Sequence, residues 1–512
     1  MAKAISVRLD DAAQRALGSE ISGRTGGTVD FNANLTSTNG GGIDLTGNTG
    51  ATIRFDGGMN LSTGAAGAFN ATGGGTIAVP DTNGPATAPN NTLTTTTGTP
   101  INVQNTTIHA DDLTFLSISA NGAANGIALS NTGAVGNLIV SGDGDGNPDG
   151  GGGTIQNTTG HGVSLSSTLS PSLTDMIVSN AGNADNEHGL LLTNVGGTVT
   201  LDDMAFNEAA EDLVHLESTT SATVNVTGST FTNPGVTGET TNSAILLLPG
   251  NAANLTASIT GSTFTNVFNA STQIGANLAG SSGTLSLTFS NNTINSAAGQ
   301  AGGVAVSGQE LTTTSLTITN NTFNGAGGNG VINIDTNDTS TVTGTISNNA
   351  INNPPGPGIV SAVDEAATST LTFNANTITN AGGDGIQLVN FGGVGASTMN
   401  ATVTNNTVNG HSLNTAVSFV GGISVTSFEE VMDLQLTGNV VTGTPVGPTQ
   451  CWGAPCVDYY LEEVGGTFRL EEIPNTAATT ASAAYVNSTN DAGLVTIFGV
   501  IDMSNGLEIS SN

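Results

Sequence analysis

Basic side chains are nearly missing from this sequence. Six Lys and Arg stand against 39 Asp and Glu, a formal net charge of −33 at pH 7, and no Lys or Arg occurs between Phe55 and Phe468. Such a surface repels phosphate backbones and anionic lipid head groups, so nucleic-acid binding is excluded as a role. No run of about 18 apolar residues occurs, so no membrane insertion is expected. Tryptophan occurs once, as Trp452, and cysteine twice, as Cys451 and Cys456 in CWGAPC. A C-x4-C pair with no further Cys and no nearby His is a poor zinc site. A short-loop disulfide fits better, and with it an oxidising compartment. The opening MAKAISVRLDDAAQRALGSE has no apolar core of the secretory-signal type. It carries three of the six basic residues and has an amphipathic, helical character.

What the sequence has instead is Gly (72 residues), Thr, Asn and Ser, arranged in a repeat. One apolar column reads Phe231, Phe264, Ile294, Phe323, Ile351, Ile378, Val408 and Val441, recurring every 27 to 33 residues. A second reads Ile43, Phe69, Ile101, Ile127, Val163, Leu190, Val214, Ile245, Ile274, Val304, Val331, Ile359, Ile386 and Val417, near 29 residues per step. Within each phrase (LTIT, LTFS, ATVT) apolar and polar residues alternate, the period of a strand half buried on one face. Thr, Val and Ile suit strands, and no helix-period segment appears between Gly26 and Thr442. Strands repeating at this interval without crossover helices predict an all-β fold in which the chain winds into about 14 coils. Each coil has about three short strands and stacks ~4.8 Å from the next. Asn292, Asn321, Asn349, Asn376, Asn406 and Asn439 share one aligned turn position, with Ser229 and Ser262 in the coils before. Asn there is expected to take the left-handed turn conformation and to stack as an amide ladder. Thr288, Thr317, Thr345, Thr372 and Thr402 form an outward column.

The phrases SGRTGGTVDF, GGGIDLTGNTGATIRFDGG, LTFLSISANGAANGIALSNTG, GGTIQNTTGHGVSL and ITNAGGDGIQL carry a family resemblance. The chain resembles bacterial secreted right-handed parallel β-helix repeat proteins of the pectate-lyase-like superfamily. That resemblance implies a right-handed parallel β-helix over residues 21–445. A capping segment follows at 446–512, and a leader or fusion segment precedes at 1–20. The first 17 residues resemble the opening strand and helix of ribbon-helix-helix antitoxins, but the match stops before a second helix, so DNA binding does not carry over. The superfamily includes lyases, hydrolases, adhesins and passive stalks. The resemblance therefore implies an extracellular or cell-surface location, as part of a longer exported protein, without fixing an activity.

Four groups of residues could carry chemistry. Eliminative cleavage of uronates would require a Lys or Arg base, which the sequence lacks from 55 to 468. GHG at 160–162 resembles the Gly-His-Gly of polygalacturonases, but the Arg-x-Lys of that family is absent, so His161 is expected to be an exposed corner residue. Asp175 and Asp203 align in consecutive coils with Asp202 adjacent, a spacing suited to a retaining carboxylate pair or a cation. Glu211, Asp212, His188 and His215 lie in the same coils. His161, His188 and His215 are spaced 27 and 27 residues apart, with His215 shifted along its strand. DGDGNPDG sets Asp143, Asp145, Asn147 and Asp149 at alternate positions, as oxygen ligands wrap Ca2+. It resembles thrombospondin type-3-like repeats, and it departs from the EF-hand at Pro148 and Thr154. The leading expectation is a stalk or adhesin-like binding segment, calcium-stabilised, with carbohydrate or another cell-surface protein as partner. The alternative is a polysaccharide-acting glycoside hydrolase using Asp175 with Asp202 or Asp203.

Overall fold

The computed structural model describes residues 19–442, apart from 82–89, 235–241, 251, 268–269, 276–282, 297–301, 309–312, 329, 394, 412–420 and 429. Beyond these it describes five strands: Val457–Glu463, Gly466–Leu470, Ile497–Phe498, Val500–Met503 and Leu507–Ser510. Cys451, Cys456 and most of the 1–20 leader lie outside the described residues. The described residues contain no helix.

The chain divides into two compact units, residues 1–246 with 255–258, and residues 247–254 with 259–512. In the first unit each coil has three strands, as in Ile127–Ser130, Leu138–Val140 and Gly153–Gln156. Every strand pairs in parallel with its counterpart one coil later. Ile43 pairs with Phe69, Phe69 with Ile101, Ile101 with Ile127, Ile127 with Val163, Val163 with Leu190, and Leu190 with Val214. Inward residues are buried and their neighbours face outward, the two-residue period of the sequence made physical. Each apolar side chain lies directly over its equivalent. Phe206 and Phe231 stack at 5.4 Å and Phe31 and Phe55 at 4.9 Å.

The second unit repeats the plan. Phe264, Ile294, Phe323, Ile351, Ile378, Val408 and Val441 pair in turn, as the spacing predicted. The Thr column from Thr288 to Thr402 is also in register. The other predicted column slips in this unit. Val304 pairs with Thr272, not Ile274, and with Ile332, not Val331; Ile386 pairs with Ile423. The same strand pair also carries a register shift between Ala270 and Thr272. Val331 and Ile332 are both buried, so hydrophobicity alone could not choose between them.

The asparagine ladder is present in the second unit, with one change in role. Nδ2 of Asn292, Asn321, Asn349, Asn376 and Asn406 donates to Oδ1 of the next Asn at 2.9–3.2 Å, ending on Asn439. The same Nδ2 groups donate to backbone carbonyls such as Phe289 O and Ile318 O. The left-handed residue is not the ladder Asn but the one before it: Asn291, Asn320, Asn348, Ala375 and Asn405, with φ of 55–59°. The turn and the ladder are thus divided between two neighbours, one exposed and strained, the other buried and fully bonded. Val457–Glu463 and Gly466–Leu470 continue the parallel pairing, whereas Val500–Met503 and Leu507–Ser510 pair antiparallel.

Candidate functional site

Two clusters of potential metal ligands stand out, both in the first unit. The first is built on an insertion between the strands Leu138–Val140 and Gly153–Gln156. Glycines 142, 144, 146 and 150 take φ of 63–98° and let the loop curl. Asp143 Oδ1 accepts from Asp145 N–H at 3.1 Å, and Asp145 Oδ1 from Asn147 N–H at 2.9 Å, so each carboxylate fixes the next turn. Asp175 enters from the following coil, at a left-handed corner with φ 54°. One ligand oxygen each from Asp143, Asp145, Asp149 and Asp175 lies within 4.8 Å of all the others.

Asp175 is the centre of this group. It is 2% exposed. Its Oδ1 accepts from Asp149 N–H at 3.1 Å and Gly150 N–H at 3.0 Å, while its buried Oδ2 has no partner. Burial pushes its carboxyl above the ordinary value, against the pull of those two N–H donors. A Cβ added at Gly151 would fall 2.2 Å from Asp175 Oδ2 and 2.6 Å from Asp143 Cγ, so the backbone closes tightly on the carboxylates. A donor set of oxygens alone on a glycine-rich loop suits a hard divalent cation such as Ca2+. Asn147, expected as a ligand, donates its Nδ2 to Asp145 Oδ2 at 3.0 Å. Asp175 joins the loop carboxylates from the next coil, a neighbour that sequence spacing within the loop could not reveal.

Asp175 and Asp203 occupy equivalent corners, as aligned. Asp203 has φ 50°, and Thr174 pairs with Asp202. Burial raises the Asp203 carboxyl, and repulsion from Asp202, Asp175 and Asp145 adds to it. The acidic pair and the acidic loop are therefore one neighbourhood, with Asp175 committed by its hydrogen bonds to the loop.

The second cluster lies on another corner. His161 and His188 occupy equivalent positions, and their rings stack at 5.7 Å and 9°. His161 is half-buried rather than exposed, and its Nδ1 accepts the His188 N–H at 3.1 Å. Asp212 takes the same slot one coil further on, and His215, three residues later, brings its ring to 4.3 Å from His188. Asp212 Oδ2 sits 2.9 Å from His215 Nδ1 and 3.9 Å from His188 Nδ1. Burial, then the neighbouring His215 and His161, push His188 down to about 3, so its ring is neutral at physiological pH.

A third feature is an open polar groove of about 700 Å3, with Glu20, Asp44, Asn70, Asn102 and Gln104 in its lining. Its amides form a chain: Asn102 Nδ2 donates to Asn70 Oδ1, and Asn70 Nδ2 to Asp44 Oδ1.

The parallel, in-register coils make the chain a right-handed parallel β-helix repeat protein. In agreement, a family described as "Right handed beta helix region" matches residues 243–454. No curated protein and no solved structure matches. Among the described residues no helix is long and apolar enough to cross a membrane.

Proposed function

We propose that the chain is a non-catalytic extracellular β-helix scaffold, a stalk or adhesin-like segment, with a calcium ion holding one coil to the next. Asp143, Asp145, Asp149 and Asp175 hold the ion. The observation that carries the calcium reading is the partnerless, buried Oδ2 of Asp175 among three further carboxylates. Four negative charges within a few ångströms repel one another, and a divalent cation converts that repulsion into a tie between the 141–152 insertion and the Asp175 corner. The scaffold reading draws its support from the repeated parallel pairing of strand to strand between coils and the scarcity of basic side chains. The polar groove offers amide and carboxylate groups of the kind that recognise carbohydrate hydroxyls, which makes a glycan the partner to try first.

Thermal melts with added Ca2+ and with EGTA test the calcium reading. Calcium should raise the melting temperature of the wild type and leave Asp175→Asn and Asp145→Ala unmoved. An equal response to Ca2+ and EGTA in the wild type would overturn it. The alternative, a glycoside hydrolase, draws on the equivalent corners of Asp175 and Asp203. Cleavage of any member of a glycan panel that Asp203→Asn abolishes would replace the scaffold by an enzyme.

A further inference from the structure

We propose that His188, Asp212 and His215 form a binding site for a divalent transition-metal ion of the zinc class. The site is separate from the acidic loop and does not depend on calcium there. Its ligand atoms lie within 4.8 Å of one another. Both Nδ1 atoms face the same oxygen, Asp212 Oδ2, at 2.9 and 3.9 Å. In a tetrahedral zinc site, bonds of about 2.0–2.2 Å place neighbouring ligand atoms about 3.3 Å apart. The observed separations bracket that value, so small side-chain rotations bring all three onto one ion.

Independent observations point inward to a ligand. His188 is 4% exposed, yet its Nδ1 has no hydrogen-bond partner. A buried imidazole nitrogen left unpaired is unfavourable, and a metal bond removes that penalty. The surroundings match the outer shell that metal-binding histidines need. On the far side of the ring, His188 Nε2 faces Glu211 Oε2 at 3.9 Å, and that oxygen is also buried without a partner. An Nε2–H directed at Glu211 leaves the Nδ1 lone pair for the metal. Asp212 is held from behind, because its Oδ1 accepts the Ser243 N–H at 2.7 Å. The His161 ring stacked on His188 closes the site from the preceding coil. Two imidazoles and one carboxylate favour zinc, cobalt, nickel or copper over calcium, which takes oxygen. Three protein ligands leave a fourth position for water.

The test uses the full chain stripped with EDTA and then titrated with Zn2+ in excess Ca2+, so that the acidic loop is saturated. One Zn2+ should bind per chain, and Co2+ in its place should show the visible absorption of a tetrahedral, nitrogen-liganded ion. His215→Ala and His188→Ala should each weaken Zn2+ binding tenfold or more, Glu211→Gln about tenfold through loss of orientation, and Asp145→Ala not at all. His215 is only half-buried, so its variant serves if His188→Ala does not fold. No Zn2+ uptake by the wild type, or uptake undiminished in His215→Ala, would overturn the site. Loss of Zn2+ in Asp145→Ala would also overturn it, by moving the ion to the acidic loop.

Discussion

Single residues in this protein act through their vertical neighbours. Asn349 is buried, and it both donates to Ile318 O and Asn376 Oδ1 and accepts from Asn321. Asn349→Ala leaves a buried carbonyl and an amide on the coil below without partners, at about 1–3 kcal/mol for each group left unmade. Hydrogen exchange should show the loss in the coils on either side of residue 349 and little elsewhere, because repeat stability is local. Asp335 offers a pH probe. Burial raises its carboxyl above the ordinary value, with the Asn333 amide at 2.9 Å pulling the other way. The folded chain therefore holds the proton more tightly than the unfolded chain. Stability must fall as pH rises from the ordinary carboxylate value through the raised one, and the penalty persists at neutral pH. Asp335→Asn should be more stable than wild type at pH 7 and lose that advantage towards pH 3, as measured by urea unfolding at both pH values.

At the scale of strands and corners, the columns were legible where one apolar residue stands between polar ones. The column from Phe264 to Val441 is of that kind. The other column was misread at Ile274, which pairs with Val306 two residues past Val304, and at Val331, beside which the equally buried Ile332 offers a second apolar candidate. The ladder was legible from Asn spacing, but its division of labour was not, since Asn is equally at home in a left-handed turn and in a buried amide stack. Of the acidic cluster, the loop carboxylates were visible in the sequence. Asp175 was noticed for its alignment with Asp203 and not for its contact with the loop, a contact that winding alone creates. The even histidine spacing was likewise visible, but not the turn of His215 back towards His188. One corner departs from its neighbours: Ala375 takes φ 55° where Asn291, Asn320, Asn348 and Asn405 stand in equivalent coils. A left-handed L-residue costs roughly 1–2 kcal/mol. Ala375→Gly should recover about 1 kcal/mol, visible as a later urea midpoint with an unchanged slope; no gain would mean the corner has relaxed that strain.

At the scale of the molecule, each coil from Asn292 to Asn439 recognises the next through the same backbone bonds, apolar columns and amide bridge. Asn292 meets Asn321 as Asn321 meets Asn349, and Thr293 pairs with Thr322 as Thr322 pairs with Ala350. Excision of residues 321–348 would present Asn349 to Asn292 in the place of Asn321. The shortened chain should fold and keep a β-rich circular-dichroism spectrum, whereas removing half that length should not. The amide bridge thus places no restriction on how many turns it joins. Unequal recombination between neighbouring repeats can lengthen or shorten such a gene in whole turns, and copy number is free to drift wherever no ion site pins two particular turns together.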